Sequence, residues 1–283
     1  MTRVAIIGCG FVGNALKAGL RDNVKIFEID PKFETKISDL KDYSPDLVFI
    51  CVPTPMIDNA DQDLDILKSV IEELRINEIE CLTILKSTVL PNYLEDISNK
   101  ISKFVYNPEF LREKHANEDF INSKLIVFGG NKLYTKEASS FYKNFSLCKT
   151  TDYIHTDLIT ASLVKYSINS FLATKVSFFN ELNSLFQETN TKETWEDFIS
   201  YLQRDNRIGN SHMSVPGHDG KKGFGGACLP KDSFAFYKYA KNKDINLSLI
   251  KKAIDVNNSI RQKYNIDERE RNQKINFKIH KDS

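Results

Sequence analysis

Short runs of apolar and β-branched residues alternate with stretches of helical spacing through the first half of the chain. Residues 3–7, 24–30, 47–52, 82–87 and 104–106 have the length and composition of buried strands. Between them, 63–75 and 91–102 place apolar side chains three and four residues apart, as helices packed on a sheet do. Strand and helix in alternation predict an α/β class: a doubly wound parallel sheet with helices on both faces and right-handed crossovers. Ligands of such sheets bind at the carboxyl ends of the strands.

The pattern changes after an apolar run at 125–128 and a helical patch at 135–143. Residues 156–188 contain neither Gly nor Pro and are rich in Leu, Ile, Phe and Ala. They predict one helix of about 30 residues, about 45 Å long. Apolar residues lie on several of its faces, so the helix is expected to be the spine between two domains and the surface of a homodimer. A shorter helix over 193–203 follows, then a loop over 206–226 that is too long for a mere connector. Helices at 231–240 and 247–263 complete the packed part. From 267 the chain is highly charged and then alternates Ile275, Phe277 and Ile279 with polar residues, the pattern of a stray edge strand or of the first strand of something missing. The expected organisation is a parallel-sheet α/β domain over 1–150, an all-α domain over 151–263, and a tail over 264–283 that is disordered or the remnant of a third domain.

Composition narrows the function classes. Lys and Arg (39) nearly cancel Asp and Glu (38), leaving a net charge of +1 that argues against nucleic-acid or membrane-surface partners. No apolar run approaches the roughly 20 residues that span a bilayer, and a cytoplasmic address is expected. The five cysteines are widely spaced, with no CxxC pair, which fits a reducing compartment and gives neither a disulfide framework nor a metal signature.

Three local patterns carry chemistry. Gly8-Cys9-Gly10-Phe11-Val12-Gly13 is a GxGxxG that follows a strand and opens a helix, and a second strand ends at Asp30, about 20 residues on. The glycines allow a tight turn and close backbone approach to a pyrophosphate, and Asp30 can accept ribose hydroxyls, which favours NAD over NADP. A glycine-rich structural turn with Asp30 as a strand-end cap is the plainer alternative. Residues 223–232 read GFGGACLPKD, placing Cys228 just after Gly223, Gly225 and Gly226 and four residues before Asp232. A thiol in that setting is a candidate nucleophile, although an unpaired cysteine is more often a small buried hydrophobe. Lys165 and Asn169 stand four residues apart, on one face of the long helix.

Taken with the segments 51–55 (CVPTP), 86–89 (KSTV) and 107–113 (NPEFLRE), these patterns occur in the order seen in nucleotide-sugar dehydrogenases, which the chain resembles over residues 1 to about 263. The resemblance implies a Rossmann-type first domain, a helical dimerisation domain, and a four-electron oxidation of a sugar C6 alcohol to a carboxylate with two NAD in turn. It makes Cys228 the nucleophile that forms a thiohemiacetal and then a thioester. Lys165 and Asn169 then stabilise the oxyanion, Asp232 bonds that lysine and a water, and Glu109 with Thr88 positions the hydrolytic water. On the cofactor side it places Gly8, Gly10, Phe11, Val12, Gly13, Asp30, Pro53, Thr54, Thr88, Glu113 and Lys231. On the substrate side it places Glu109, Phe110, Leu111, Arg112, Lys165, Asn169, Phe224, Gly225 and Gly226, with Arg207 reaching the substrate of a neighbouring subunit. No metal is implied; His212 and His218 read as hydrogen-bonding loop residues.

The chain departs from the family pattern in two places. The insert that usually follows the strand ending at Asp30 is absent, and the third domain that in the family grips the nucleotide base is expected to be lacking. Either substrate affinity falls or a separate lid protein supplies those contacts. UDP-glucose is the favoured substrate through Arg207-Ile208-Gly209, with GDP-mannose the alternative. A hydroxyacid dehydrogenase of the 6-phosphogluconate type has no use for Cys228. A non-catalytic module that retains NAD binding and dimerisation is the reading from another class.

Overall fold

The computed structural model describes residues 1–57 and 61–278, which form two compact units. Unit one comprises Met1–Thr54 and Gln62–Lys165, and unit two comprises Pro55–Asp61 and Tyr166–Ser283.

The first unit is built on a seven-stranded sheet. Its strands are β1 (Thr2–Ile7), β2 (Val24–Ile29), β3 (Leu47–Ile50), β4 (Leu82–Leu85), β5 (Phe104–Tyr106), β6 (Ile126–Gly130) and β7 (Tyr153–Thr156), in the order β2-β1-β3-β4-β5-β6-β7. Every neighbouring pair is parallel except β5 with β6. The expected parallel sheet therefore carries one reversal. β7, too short and too polar to read as a strand from its sequence, takes the sheet past residue 150.

Alternate residues of the central strands supply two separate cores, as the period-2 pleat requires. Ala5, Ile7, Val48, Ile50 and Leu85 face one way, joined by Leu67, Ile71 and Leu74 of α3 (Asp65–Ile76). The short α2 (Leu40–Tyr43) and α4 (Pro91–Ser98) complete that layer with Leu40, Leu94 and Ile97. Val4, Ile6, Phe49, Ile84 and Phe128 face the other way, against α1 (Phe11–Ala18), α5 (Ala116–Ile121) and α6 (Lys132–Phe145). Pro91 at the first turn of α4 and Asn131, whose side chain accepts from Leu133 N, fix two of these helix starts.

The 30-residue helix α7 (Leu158–Gln187) begins in the first unit, and the boundary between the units falls within it at Lys165 and Tyr166. The second unit continues with α8 (Trp195–Leu202), α9 (Leu229–Lys241), α10 (Ser248–Arg261) and α11 (Glu268–Asn272). One of its cores gathers Phe179, Trp195, Ile199, Met213 and Val215, and another gathers Met56, Phe234, Ile254, Ile275 and Phe277.

Over the described residues 264–278 the expectation of a disordered tail or a stray strand is not met. Asp267 and Glu270 form a reciprocal capping box that starts α11, and Ile275 and Phe277 are buried from a turn rather than a strand. Their alternation in sequence imitates a strand because both point into the same core. Ile279, the third member of that alternation, lies outside the described residues.

Phe49 is fully buried on a central strand, with ring centroids 5.7 Å from Phe141 and 6.3 Å from Tyr142. Phe49→Ala is expected to destabilise the protein by about 3–5 kcal/mol, read as a shift in the urea midpoint.

Candidate functional site

The carboxyl ends of β1, β3, β4 and β5 collect most of the chemistry-bearing residues of the first unit. At the end of β1, Gly8 has a φ of +93°, and a Cβ there would meet the Cys51 carbonyl at 2.8 Å. A Cβ on Gly13 would meet the Gly8 oxygen at 2.1 Å, whereas one on Gly10 would face open space. Two of the glycines are thus required by close packing, and the middle one leaves room for a ligand at the start of α1. Gly10 is the N-cap of that helix and no side chain caps it, so its first-turn N–H groups are available to an anion. Asp30 is partly exposed beside this turn; its Oδ2 accepts from Cys9 N at 2.7 Å and its Oδ1 from Lys32 N at 3.1 Å. The carboxylate therefore does act as a clip on the turn. These residues fit the pyrophosphate and ribose of a dinucleotide.

Thr54 and Thr88 bind the ends of β3 and β4 together. Thr54 Oγ1 donates to the Thr88 carbonyl at 2.8 Å, Gln62 Nε2 donates to the same oxygen at 2.9 Å, and Ser87 Oγ donates to the Val52 carbonyl at 2.6 Å. Pro53 is exposed on this edge.

After β5 the chain turns through Pro108 into Glu109, which is buried. Its Oε2 accepts from Leu111 N at 2.6 Å, and its Oε1 pairs with Lys165 Nζ at 3.1 Å. The same ammonium donates to the Glu109 carbonyl at 2.5 Å and lies 5.4 Å from the Phe110 ring centroid. A second buried lysine, Lys86, donates to Asn107 Oδ1 at 2.9 Å and to Tyr142 Oη at 3.3 Å, and burial pushes its pKa down. A cavity of about 20 Å³ is lined by Lys86, Glu109, Tyr142 and Cys148, room for about one water molecule. Arg112 and Glu113, by contrast, are exposed; Arg112 pairs with Asp119 at 2.7 Å, and Glu113 opens a short 3₁₀ turn.

In the second unit Cys228 is the half-buried N-cap of α9. One turn on, the Asp232 carboxylate is 1% exposed and accepts from Asn169 Nδ2 at 2.6 Å and from Lys231 Nζ at 2.6 Å. The approach to the cysteine is held by side chains that sequence reasoning does not single out. Asn257 of α10 binds Phe224 through both backbone groups, at 2.6 and 3.0 Å, and Asn180 Oδ1 accepts from Gly223 N at 2.9 Å. Glu270 Oε1 accepts from Gly226 N at 3.2 Å and also pairs with the buried Arg261. Asn257, Asn258 and Arg261 are all buried on α10, and the D-x-x-E at 267–270 marks the start of α11 without pointing to its contact with this turn. The Arg207 side chain is 90% exposed and paired with Asp205.

Residues 30–146 match the NAD-binding domain of the UDP-glucose/GDP-mannose dehydrogenase family, and residues 159–259 match that family's central domain. The chain belongs to this family. It is 35% identical over 221 residues to a UDP-glucose 6-dehydrogenase of Rickettsia bellii, an alignment covering 74% of this chain and 48% of the relative. A UDP-glucose 6-dehydrogenase of Rickettsia felis is 31% identical over 278 residues, covering 88% of this chain and 60% of the relative. The chain thus spans about half to three fifths of the length of these relatives. Among solved structures, a UDP-glucose dehydrogenase from Pyrobaculum islandicum superposes with a TM-score of 0.75 at 24% identity, covering 92% of this chain and 68% of the other. NAD is the family's cofactor, and the glycine turn described above is where this family member would hold it. Among the described residues no helix is long and apolar enough to cross a membrane.

Burial, with Glu28 and Asp30 nearby, pushes the Cys9 thiol up to about 11, and burial pushes Cys51 up to about 12. At pH 8 both are expected to react with iodoacetamide at least about a hundredfold more slowly than a peptide thiol, which peptide mapping by mass spectrometry checks.

Proposed function

We propose that this chain oxidises the C6 hydroxyl of a nucleotide sugar, UDP-glucose, to the carboxylate, using Cys228 as the covalent nucleophile. The observation that carries the reading is the setting of Cys228. A thiol heads α9 after a glycine-rich turn, one turn before a buried Asp232 that is bonded to Asn169 and Lys231. Simple packing gives no reason to bury such a polar trio beside a cysteine.

NAD held at the Gly8–Gly13 turn would supply the hydride acceptor for each oxidation. Lys165 and Asn169, one turn apart on α7, are assigned to the C6 oxygen, where an ammonium and an amide donor stabilise negative charge as it develops. An aldehyde has no hydride to release until it becomes tetrahedral. The Cys228 sulfur therefore adds to C6, and the adduct's C6–H bond breaks in the second oxidation to leave a thioester. Glu109, fixed by Leu111 N and Lys165, is assigned to the water that cleaves the C–S bond. In sum, one alcohol, two NAD and one water give one carboxylate, two NADH and three protons. Lys231 and Thr88 are assigned supporting roles, Lys231 through Asp232 and Thr88 through the anchored end of β4. UDP is preferred to GDP through the Arg207-Ile208-Gly209 segment, a choice supported by the names of the Rickettsia relatives.

The active form is assigned as a homodimer. Phe171, Phe178 and Leu185 recur every seven residues on α7 with large exposed side chains, a stripe that a second copy of the helix would cover. Phe178→Asp is expected to give a monomer by light scattering, whereas a wild-type monomer would remove this assignment.

With UDP-glucose and NAD, the protein is expected to release two NADH per sugar consumed. Cys228→Ser is expected to abolish that stoichiometric turnover while leaving NAD affinity by calorimetry within twofold. Wild-type turnover in this variant would refute the covalent role.

A further inference from the structure

The thiol-bearing turn at 223–228 is fastened by a segment that lies beyond residue 259, where the match to the family's central domain ends. Arg261 is 1% exposed, its Nη1 donates to Asp219 Oδ2 at 2.8 Å, its Nη2 pairs with Glu270, and its guanidinium lies 5.5 Å from the Phe277 ring centroid. Glu270 is also 1% exposed and spends both oxygens. Oε1 serves Arg261 and the Gly226 amide, and Oε2 accepts from Asp267 N at 2.9 Å. Asp267 returns the bond by accepting from Glu270 N at 3.0 Å.

The turn has no slack around this group. A Cβ on Gly225 would stand 1.7 Å from Arg261 Nη2 and 2.3 Å from Glu270 Oε1, and one on Gly223 would stand 2.5 Å from Asn257 Oδ1. Two residues after Gly226, the backbone reaches Cys228 and enters α9. A buried carboxylate that accepts a backbone N–H restricts where that amide can sit, and the pairing with Arg261 keeps the carboxylate aimed.

We infer that Glu270, aimed by Arg261 and the Asp267 capping box, is a positioning residue for the Cys228 turn, so that the reactivity of the thiol depends on α11. The catalytic consequence rests on the function proposed above; the contact itself does not.

Glu270→Ala, Glu270→Gln and Asp267→Ala test it in the full chain. In Glu270→Ala the alkylation rate of Cys228 is expected to change at least fivefold, while Cys81 and Cys148, in the other unit, keep their rates and NAD affinity is unchanged. With UDP-glucose, kcat is expected to fall about tenfold and KM for NAD to stay within twofold. Glu270→Gln retains an acceptor for the Gly226 amide and is expected to recover at least half of the lost rate, a rescue that a general loss of stability would not give. Asp267→Ala keeps the carboxylate but loosens it, and a two- to threefold change in the same direction is expected; this variant carries the test if Glu270→Ala fails to fold. A folded Glu270→Ala, or failing that a folded Asp267→Ala, with wild-type Cys228 alkylation and kcat overturns the inference. A wild-type protein that does not oxidise UDP-glucose overturns the proposed reaction instead, and the alkylation comparison still decides the role of Glu270.

Discussion

The first unit depends on backbone meeting backbone at Gly8. Its amide donates to the Ile29 carbonyl at 2.8 Å, while Cys51 N donates to the Ile7 carbonyl at 2.7 Å, so the ends of β1, β2 and β3 are held together at one point. The chain can pass there only without a side chain, because Cys51 and Val52 lie under 3 Å from where a Cβ would be. Once that meeting is made, α1 must start at Phe11 and pack on β1 through Gly13, and Asp30 falls within reach of Cys9 N. The dinucleotide turn follows from how the strands close and is no separate addition to the sheet.

Both units place charge where it is expensive. The Glu109–Lys165 pair, Asp232 with Lys231, and Arg261 with Glu270 are each buried almost completely. A buried ion pair seldom improves on well-packed apolar residues of the same volume, so stability alone does not account for three of them. What such pairs provide is direction. Each fixes a carboxylate whose remaining lone pairs are committed to a backbone amide or an amide side chain, and each lies next to a segment assigned to the chemistry. Lys86 differs, because its near partners are the neutral Asn107 and Tyr142, and its ammonium is correspondingly harder to keep protonated.

Five of the seven strands were legible because their residues are apolar, β-branched or aromatic and bounded by polar turns, and β6 showed only as an apolar run. β7 escaped because Tyr153–Thr156 is a four-residue edge strand, part-exposed and carrying His155. The reversal between β5 and β6 has no local signature, since a strand's own residues do not encode the direction of its neighbour. The tail was misread for a related reason. Period-2 alternation reports which side chains are buried, and a turn can bury Ile275 and Phe277 as well as a strand can. In the site, residues whose chemistry is itself unusual, such as the glycines, Asp30, Cys228 and Lys165, could be picked out from sequence. Asn180, Asn257, Arg261 and Glu270 could not, because their meaning lies in partners 33 to 44 residues away along the chain that only the fold brings close.

The space at Gly225 has a meaning for how this sequence can change over time. Nη2 of Arg261 occupies the volume that any side chain at 225 would need, so neither position can be altered without regard to the other. Replacing the arginine with a shorter residue would still leave Glu270 Oε1 at 2.3 Å from a Cβ at 225, and would take from Asp219 and Glu270 their shared cation. A path between two working sequences therefore runs through intermediates that are either overcrowded or missing a charge. Drift at these positions is expected to come as linked substitutions, with Gly225, Arg261 and Glu270 inherited as a group.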